Sequence, residues 1–265
     1  MINIKNLNFN YHDKVIFDNF NLIIKRNKIT SIIGANGSGK STLIEILTGI
    51  LEFKGQIEID GVSLNKHNLK EIRKKIGVVF ESKDSQFITE TVMDEIAFVL
   101  ENLNYNKKEI KKRVEKIAKI LDIDDVLEVN PYSLNLNQQQ LVHLACALVH
   151  EPKILILDET LCMLNPITLE KVLDLIKKLN KEGMTIIIIT HDIEHTLISD
   201  EILLLDSGKV ILNDNRENIY KEEQILNKLG FKLPFMVELS NRLKFYDLID
   251  KTIYDMKEMV EILWK

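Results

Sequence analysis

The chain has 265 residues, 45% of them apolar and 28% charged, with a net charge of −5. This suits a folded globular protein with an ample core, and the negative balance argues against a general nucleic-acid binder. Its two cysteines, Cys146 and Cys162, offer neither a disulfide framework nor the spacing of a zinc motif, which suits a reducing compartment, and no apolar run approaches the ~18 residues of a membrane span.

The first residues, Met1-Ile2-Asn3-Ile4-Lys5, lack the apolar run of a signal peptide. Ile2, Ile4 and Leu7, then Phe20, Leu22 and Ile24, alternate as half-buried strands do. Tyr11 falls in a polar turn between them, either a surface aromatic or a ring able to stack on a nucleotide base. Ile29-Thr30-Ser31-Ile32-Ile33 reads as a buried strand. It runs into Gly34-Ala35-Asn36-Gly37-Ser38-Gly39-Lys40-Ser41-Thr42, after which Leu43, Ile46, Leu47 and Ile50 share a helical face. Strand, glycine loop, Lys-Ser and helix together are the context of a phosphate-binding loop. The glycines let backbone N–H groups close on phosphates, and the helix start adds partial positive charge. In that setting Lys40 reaches the β- and γ-phosphates and Ser41 offers its hydroxyl to Mg²⁺.

Further along, Gln56-Ile57-Glu58-Ile59-Asp60 and Ile76-Gly77-Val78-Val79-Phe80 are strand-like, and Glu81 opens a polar segment over 82–86. From there to about residue 150 the periodicity is helical. Ile96, Val99, Leu100 and Leu103 make one stripe, and Ile110, Val114, Ile117 and Leu121 another, most simply core faces of a helical subdomain over about 82–150. Pro131-Tyr132-Ser133 interrupts it, and a polar run over 135–140 leads into an apolar helix over 141–149. Ile154-Leu155-Ile156-Leu157 is a continuous apolar strand ending in Asp158-Glu159. A helix carrying Leu169, Val172, Leu173, Ile176 and Leu179 follows, capped by Gly183. The run from Thr185 to Thr190 is a second buried strand with His191-Asp192 at its end, and Asp206-Ser207-Gly208-Lys209 reads as a hairpin turn. Residues 217–265 form a small helical appendage, with Thr252 to Asp255 spaced as a capping box.

In open α/β sheets ligands bind beyond the carboxyl ends of the strands. The glycine loop, Asp158-Glu159 and His191 all fall at such ends. Asp158 suits a hydrated Mg²⁺, Glu159 suits a general base toward an attacking water, and His191 suits a hydrogen bond to the γ-phosphate or that water.

With these pieces in place, residues 1–216 resemble an ATP-binding-cassette (ABC) ATPase. The 34–42 loop resembles Walker A, Ile154 to Glu159 resembles Walker B with its catalytic glutamate, and His191 is similar to the switch histidine. Tyr11 and Glu81 fall where the family has its base-stacking aromatic and its Q-loop glutamine. The run from Thr91 to Phe98, with Asp84 and Gln86 before it, and Pro234, Glu238-Leu239 and Arg242-Leu243 resemble the energy-coupling factor (ECF) subgroup, which powers uptake of vitamins and of cobalt or nickel. The resemblance implies an α/β cassette with a mixed sheet core and a helical subdomain, plus a C-terminal helical domain over 217–265 that pairs two ATPases. It implies ATP on Tyr11 and the 34–42 loop, Mg²⁺ near Ser41, Asp158 and Glu81, and hydrolysis by Glu159 with His191. The implied partners are a second, paralogous ATPase, a transmembrane coupling protein received in the Q-loop groove and a substrate-binding membrane protein, with no nucleic acid. The implied location is peripheral, on the cytoplasmic face of the cell membrane.

The departures are specific. The family signature Leu-Ser-Gly-Gly-Gln is replaced by Leu134-Asn135-Leu136-Asn137-Gln138, and the D-loop Ser-x-Leu-Asp by Cys162-Met163-Leu164-Asn165. The cassette therefore carries a complete ATP-holding half and a degraded half to lend, which points to an asymmetric heterodimer. A slowly hydrolysing subunit with an assembly or regulatory role is the alternative, and a soluble ABC ATPase working on nucleic acid or ribosomes is a third.

Overall fold

Period-two and continuous apolar runs become ten strands in the computed structural model, which describes residues 1–81 and 87–264. In chain order these are β1 (Ile2–Tyr11), β2 (Lys14–Ile24), β3 (Ile29–Ile33), β4 (Lys54–Ile59), β5 (Val62–Ser63), β6 (Ile76–Val79), β7 (Ile154–Asp158), β8 (Thr185–Thr190), β9 (Glu201–Asp206) and β10 (Lys209–Asn215). An antiparallel sheet has the order β2-β1-β4-β5. A six-stranded sheet has the order β10-β9-β3-β8-β7-β6, parallel from β9 to β6, with β10 antiparallel on its edge. Asp84 and Gln86 lie outside the described residues.

The helices are α1 (Lys40–Leu47), α2 (Leu69–Lys75), α3 (Val92–Asn102), α4 (Lys107–Leu121), α5 (Leu136–Leu148), α6 (Pro166–Lys181), α7 (Arg216–Ile219), α8 (Glu223–Lys228), α9 (Phe235–Phe245) and α10 (Met256–Leu263). Strands β3, β7 and β8 are buried along their whole length because both faces of the parallel sheet are covered. Ile154, Ile156, Ile187 and Ile189 pack with α1 and the antiparallel sheet, while Leu155, Leu157, Ile186 and Ile188 pack toward α3 to α6. On α4, Ile110, Val114, Ile117 and Leu121 are all buried, each worth about 1.5–3 kcal/mol of transfer free energy. The lysines between them face water, as expected for a solvated face.

Three local readings are corrected. Tyr11 is the last residue of β1, and the turn is His12-Asp13, with His12 at φ 47°. The polar run is already helix from Leu136 onward. Asn135 caps α5 by accepting from Gln138 N–H at 3.0 Å, the Gln138 side chain returns to Asn135, and Gln139 and Gln140 are buried. The last helix is capped by Asp255, which accepts from Lys257 and Glu258 N–H, while Thr252 Oγ1 instead accepts from Lys244 Nζ. The hairpin does form, with Ser207 and Gly208 both at positive φ, as a type I′ turn requires.

Residues from Ile219 to Val237 share a core with Ile33, Ile202 and Leu204 of β3 and β9. They also brace the short turn Ile193–Ile198 that follows β8. Tyr220 Oη lies 2.7 Å from Thr196 Oγ1, and Phe235 N–H donates to Glu194 Oε1 at 2.6 Å. Met236, Ile253 and Met259 make a separate small cluster, tied by Ser240 Oγ, which bridges the N–H and C=O of Ile253.

Candidate active site

Parallel register brings three strand ends to one rim. Ile33 pairs with Thr190, and Asp158 pairs with Ile189, so β3, β7 and β8 stop side by side. The loop after β3 is tight at both ends. A Cβ on Gly34 would sit 2.2 Å from the Leu205 carbonyl oxygen, and Gly39 turns into α1 at φ 107°, where only glycine is unstrained. Among the described residues no side chain caps α1, so its first-turn amides keep their capacity to bind an anion. Ala35, Asn36 and Gly37 are exposed, Ser38 is buried with no partner for Oγ among the described residues, and Ser41 and Thr42 lie on the first turn.

Lys40 is buried, and its Nζ donates to the carbonyls of Gly34 (2.8 Å) and Ala35 (3.1 Å). Burial lowers its pKa, against the opposing pull of Glu159, Asp158 and Glu81. Asp158 ends β7, only 3% exposed, and its Oδ1 has no hydrogen-bond partner among the described residues. Burial first, then the charges of Glu159 and Glu81, push its carboxyl up to about 7, although Lys40 and the Glu81 N–H favour the ionised form. Three carboxylates thus crowd one buried ammonium. An orphaned buried oxygen among hard oxygen donors fits a divalent cation such as Mg²⁺, and the uncapped helix with its glycine cradle fits a polyphosphate.

Glu159 adopts a left-handed conformation, φ 50°, held by its N–H to Ile189 O at 2.9 Å. Its Oε2 accepts from His191 Nδ1 at 2.8 Å, from His191 N–H at 3.3 Å and from the Cys162 thiol at 3.4 Å. Because the carboxylate only accepts, the His191 proton sits on Nδ1, leaving Nε2 for another partner. Tyr11 is 41% exposed beside α1, its hydroxyl on Glu45 Oε2 at 2.9 Å and its ring edge-on to Phe9. It shares no hydrogen bond with the carboxylate cluster.

In the signature region Leu136 is 62% exposed, and Asn137 Oδ1 accepts from the Asn165 N–H at 2.7 Å, joining this segment to the D-loop of the same chain. The Asn135 side chain is engaged with Gln138 at 2.8 Å, which uses part of its donor capacity. Three residues take roles that no sequence motif assigned to them. Glu95 is buried and accepts from Ile88 and Thr89, fixing the approach to α3. His195 is buried with Nδ1 3.2 Å from Thr190 Oγ1 and 3.7 Å from Cys162 Sγ. Cys162 itself bridges to Glu159; its closeness to the acid in sequence was the one available signal.

The sequence profile of the ABC transporter family matches residues 17–162. The energy-coupling factor transporter ATP-binding protein EcfA1 of Mesomycoplasma hyopneumoniae is 37% identical, covering all of this chain and 98% of its own length. The chain belongs to the ECF branch of the ABC ATPases. Among solved structures this ECF ATPase resembles CbiO1 of Clostridium perfringens, described as part of the ABC transporter complex CbiONQ, with TM-score 0.76, 32% identity and coverage of 94% and 98% of the two chains. It also resembles a dimeric ABC cassette bound to ADP and Pi, with TM-score 0.72, 28% identity and coverage of 81% and 98%. It is thus an ATP-binding subunit of an ECF-type transporter and an ATPase. Among its described residues, no helix is long and apolar enough to cross a membrane.

Proposed function

We propose that this ECF ATPase drives uptake of a vitamin or transition-metal ion through membrane partners, from the cytoplasmic face, as half of an asymmetric ATPase pair. ATP lies on the 34–42 loop with Lys40 on its β- and γ-phosphates and its base against Tyr11. Ser41, Asp158 and Glu81 hold Mg²⁺, which neutralises phosphate charge when bound. Glu159 takes the proton of the attacking water, and His191 orients that carboxylate and offers Nε2 to the γ-phosphate.

The observation that carries the reading is the 2.8 Å contact between Glu159 Oε2 and His191 Nδ1, one residue beyond Asp158, whose Oδ1 has no hydrogen-bond partner among the described residues. Leu136 and Asn137 place side chains where the family's glycines admit a partner's γ-phosphate, which supports pairing with a paralogue of intact signature. A groove of about 860 Å³ lined by Ile50, Leu69, Val78, Phe80, Phe98 and Leu103, among others, suits the helices of a transmembrane coupling protein. Residues 217–265 serve as the pairing domain.

Glu159→Gln in the assembled complex tests this. Loss of a positioned base costs about 10²–10⁴ in rate, so steady-state ATPase falls to near background while ATP binding persists. Turnover within a few-fold of wild type overturns the assignment. The link from Asn137 to Asn165 favours a second reading, a subunit that hydrolyses slowly and serves assembly or regulation. Single-turnover hydrolysis by the purified heterodimer separates the two.

A further inference from the structure

We propose that Glu159, Cys162 and His191 form a site for Zn²⁺ whose occupancy halts ATP turnover. The three residues come from the end of β7, the turn Thr160–Met163 and the end of β8, and it is the fold that brings His191 to the other two across 32 residues. Their ligand atoms all lie within 4.8 Å of one another. Tetrahedral zinc with bonds of about 2.3 Å to sulfur and about 2.0 Å to nitrogen and oxygen needs ligand-to-ligand edges of about 3.3–3.6 Å. The sulfur-to-oxygen edge is 3.4 Å, and the nitrogen-to-oxygen edge is 2.8 Å. The sulfur-to-nitrogen edge is at most 4.8 Å, so a small shift of the His191 side chain, 62% exposed, opens the nitrogen-to-oxygen edge by about half an ångström and draws the ring toward the sulfur.

The donor set decides the metal. Thiolate, imidazole and carboxylate together suit zinc, whereas Mg²⁺ takes oxygens. The sulfur is backed by Thr190 Oγ1 at 3.6 Å and His195 Nδ1 at 3.7 Å, the kind of outer support that orients a ligand. Binding releases the thiol proton and moves the imidazole proton from Nδ1 to Nε2, and a fourth position stays open toward solvent. The carboxylate, once ligated, no longer accepts a proton from water. That last step rests on the proposed role of Glu159; the binding itself does not.

Titration of the full-length chain with Co²⁺, without nucleotide or Mg²⁺, tests the site. We expect one equivalent to give a sulfur-to-cobalt charge-transfer band, displaced by Zn²⁺. The band is lost in Cys162→Ser, with Zn²⁺ affinity at least ~10-fold weaker, and retained in Cys146→Ala, whose thiol lies inside the helical subdomain. Absence of the band, or a band that survives Cys162→Ser, overturns the site. Chelator-reversible inhibition of ATPase by Zn²⁺, shifted at least ~10-fold in Cys162→Ser, completes the proposal. A cobalt band with ATPase untouched by Zn²⁺ leaves the site standing and overturns its link to turnover, while the role given to Glu159 stands or falls separately on Glu159→Gln.

Discussion

Asp158→Asn should stabilise the nucleotide-free protein. The change removes one of the three carboxylates gathered around Lys40 and keeps an acceptor oxygen for the Glu81 N–H. In the folded chain the Asp158 carboxyl rises from an ordinary 3.8 to about 7, first through burial and then through Glu159 and Glu81. Three units at about 1.4 kcal/mol each give about 4 kcal/mol as an upper bound, and relaxation leaves about half. A carboxyl raised on folding binds more protons folded than unfolded. Its contribution to stability is therefore full below about pH 4 and is lost as pH climbs toward about 7. At pH 8 the variant should be more stable than wild type by about 2 kcal/mol, a melting temperature about 4–8 °C higher for a chain of this size. At pH 4 the two should converge. Saturating Mg-ATP should narrow the gap, because ligand at 100 times its dissociation constant adds about 2.7 kcal/mol to wild type and less to a variant short of one metal ligand. Calorimetry at the two pH values, with and without Mg-ATP, measures all of this. A variant no more stable than wild type at pH 8 without nucleotide refutes the electrostatic account of the site.

Gly34→Ala places a methyl 2.2 Å from the Leu205 carbonyl, so the loop must shift; ATP affinity should fall by more than ~10-fold in equilibrium dialysis while far-ultraviolet circular dichroism stays native. Restoring the signature with Asn135→Ser, Leu136→Gly and Asn137→Gly should raise the ATPase of this chain assayed alone by about 10²-fold, the size of one restored oriented donor, and an unchanged rate counts against the degraded-signature reading. Ser240→Ala strips both hydrogen bonds from the buried Ile253 backbone and should cost about 2–3 kcal/mol in urea unfolding.

The glycine loop and the buried strands were readable because each depends on local pattern. Glycine spacing marks where backbone must approach a ligand, and uninterrupted Ile and Leu in β7 and β8 mark strands covered on both faces. Helix starts were less readable, because Asn135 and Asp255 act as caps through side chains whose partners are set only once the chain turns. What escaped the sequence is contact between distant segments. Asn137 meets Asn165 across 28 residues, and Cys162 meets His195 across 33, and neither pair has a spacing rule. The apposition of Glu159 and His191 is intermediate, since parallel pairing of β7 with β8 makes it inevitable once the sheet order is known.

The braces on the turn Ile193–Ile198 bear on how the molecule can be trimmed. A chain cut after residue 215 would keep the glycine loop, Asp158, Glu159 and His191, yet the hydroxyl of Thr196 and the carboxylate of Glu194 would lose Tyr220 and Phe235. The imidazole two residues upstream of that turn would then sit on an unsplinted stalk. Residues 219–237 therefore act as scaffolding for the chemistry at the end of β8, and a minimal cassette made by deleting them would be a poor surrogate for the whole subunit.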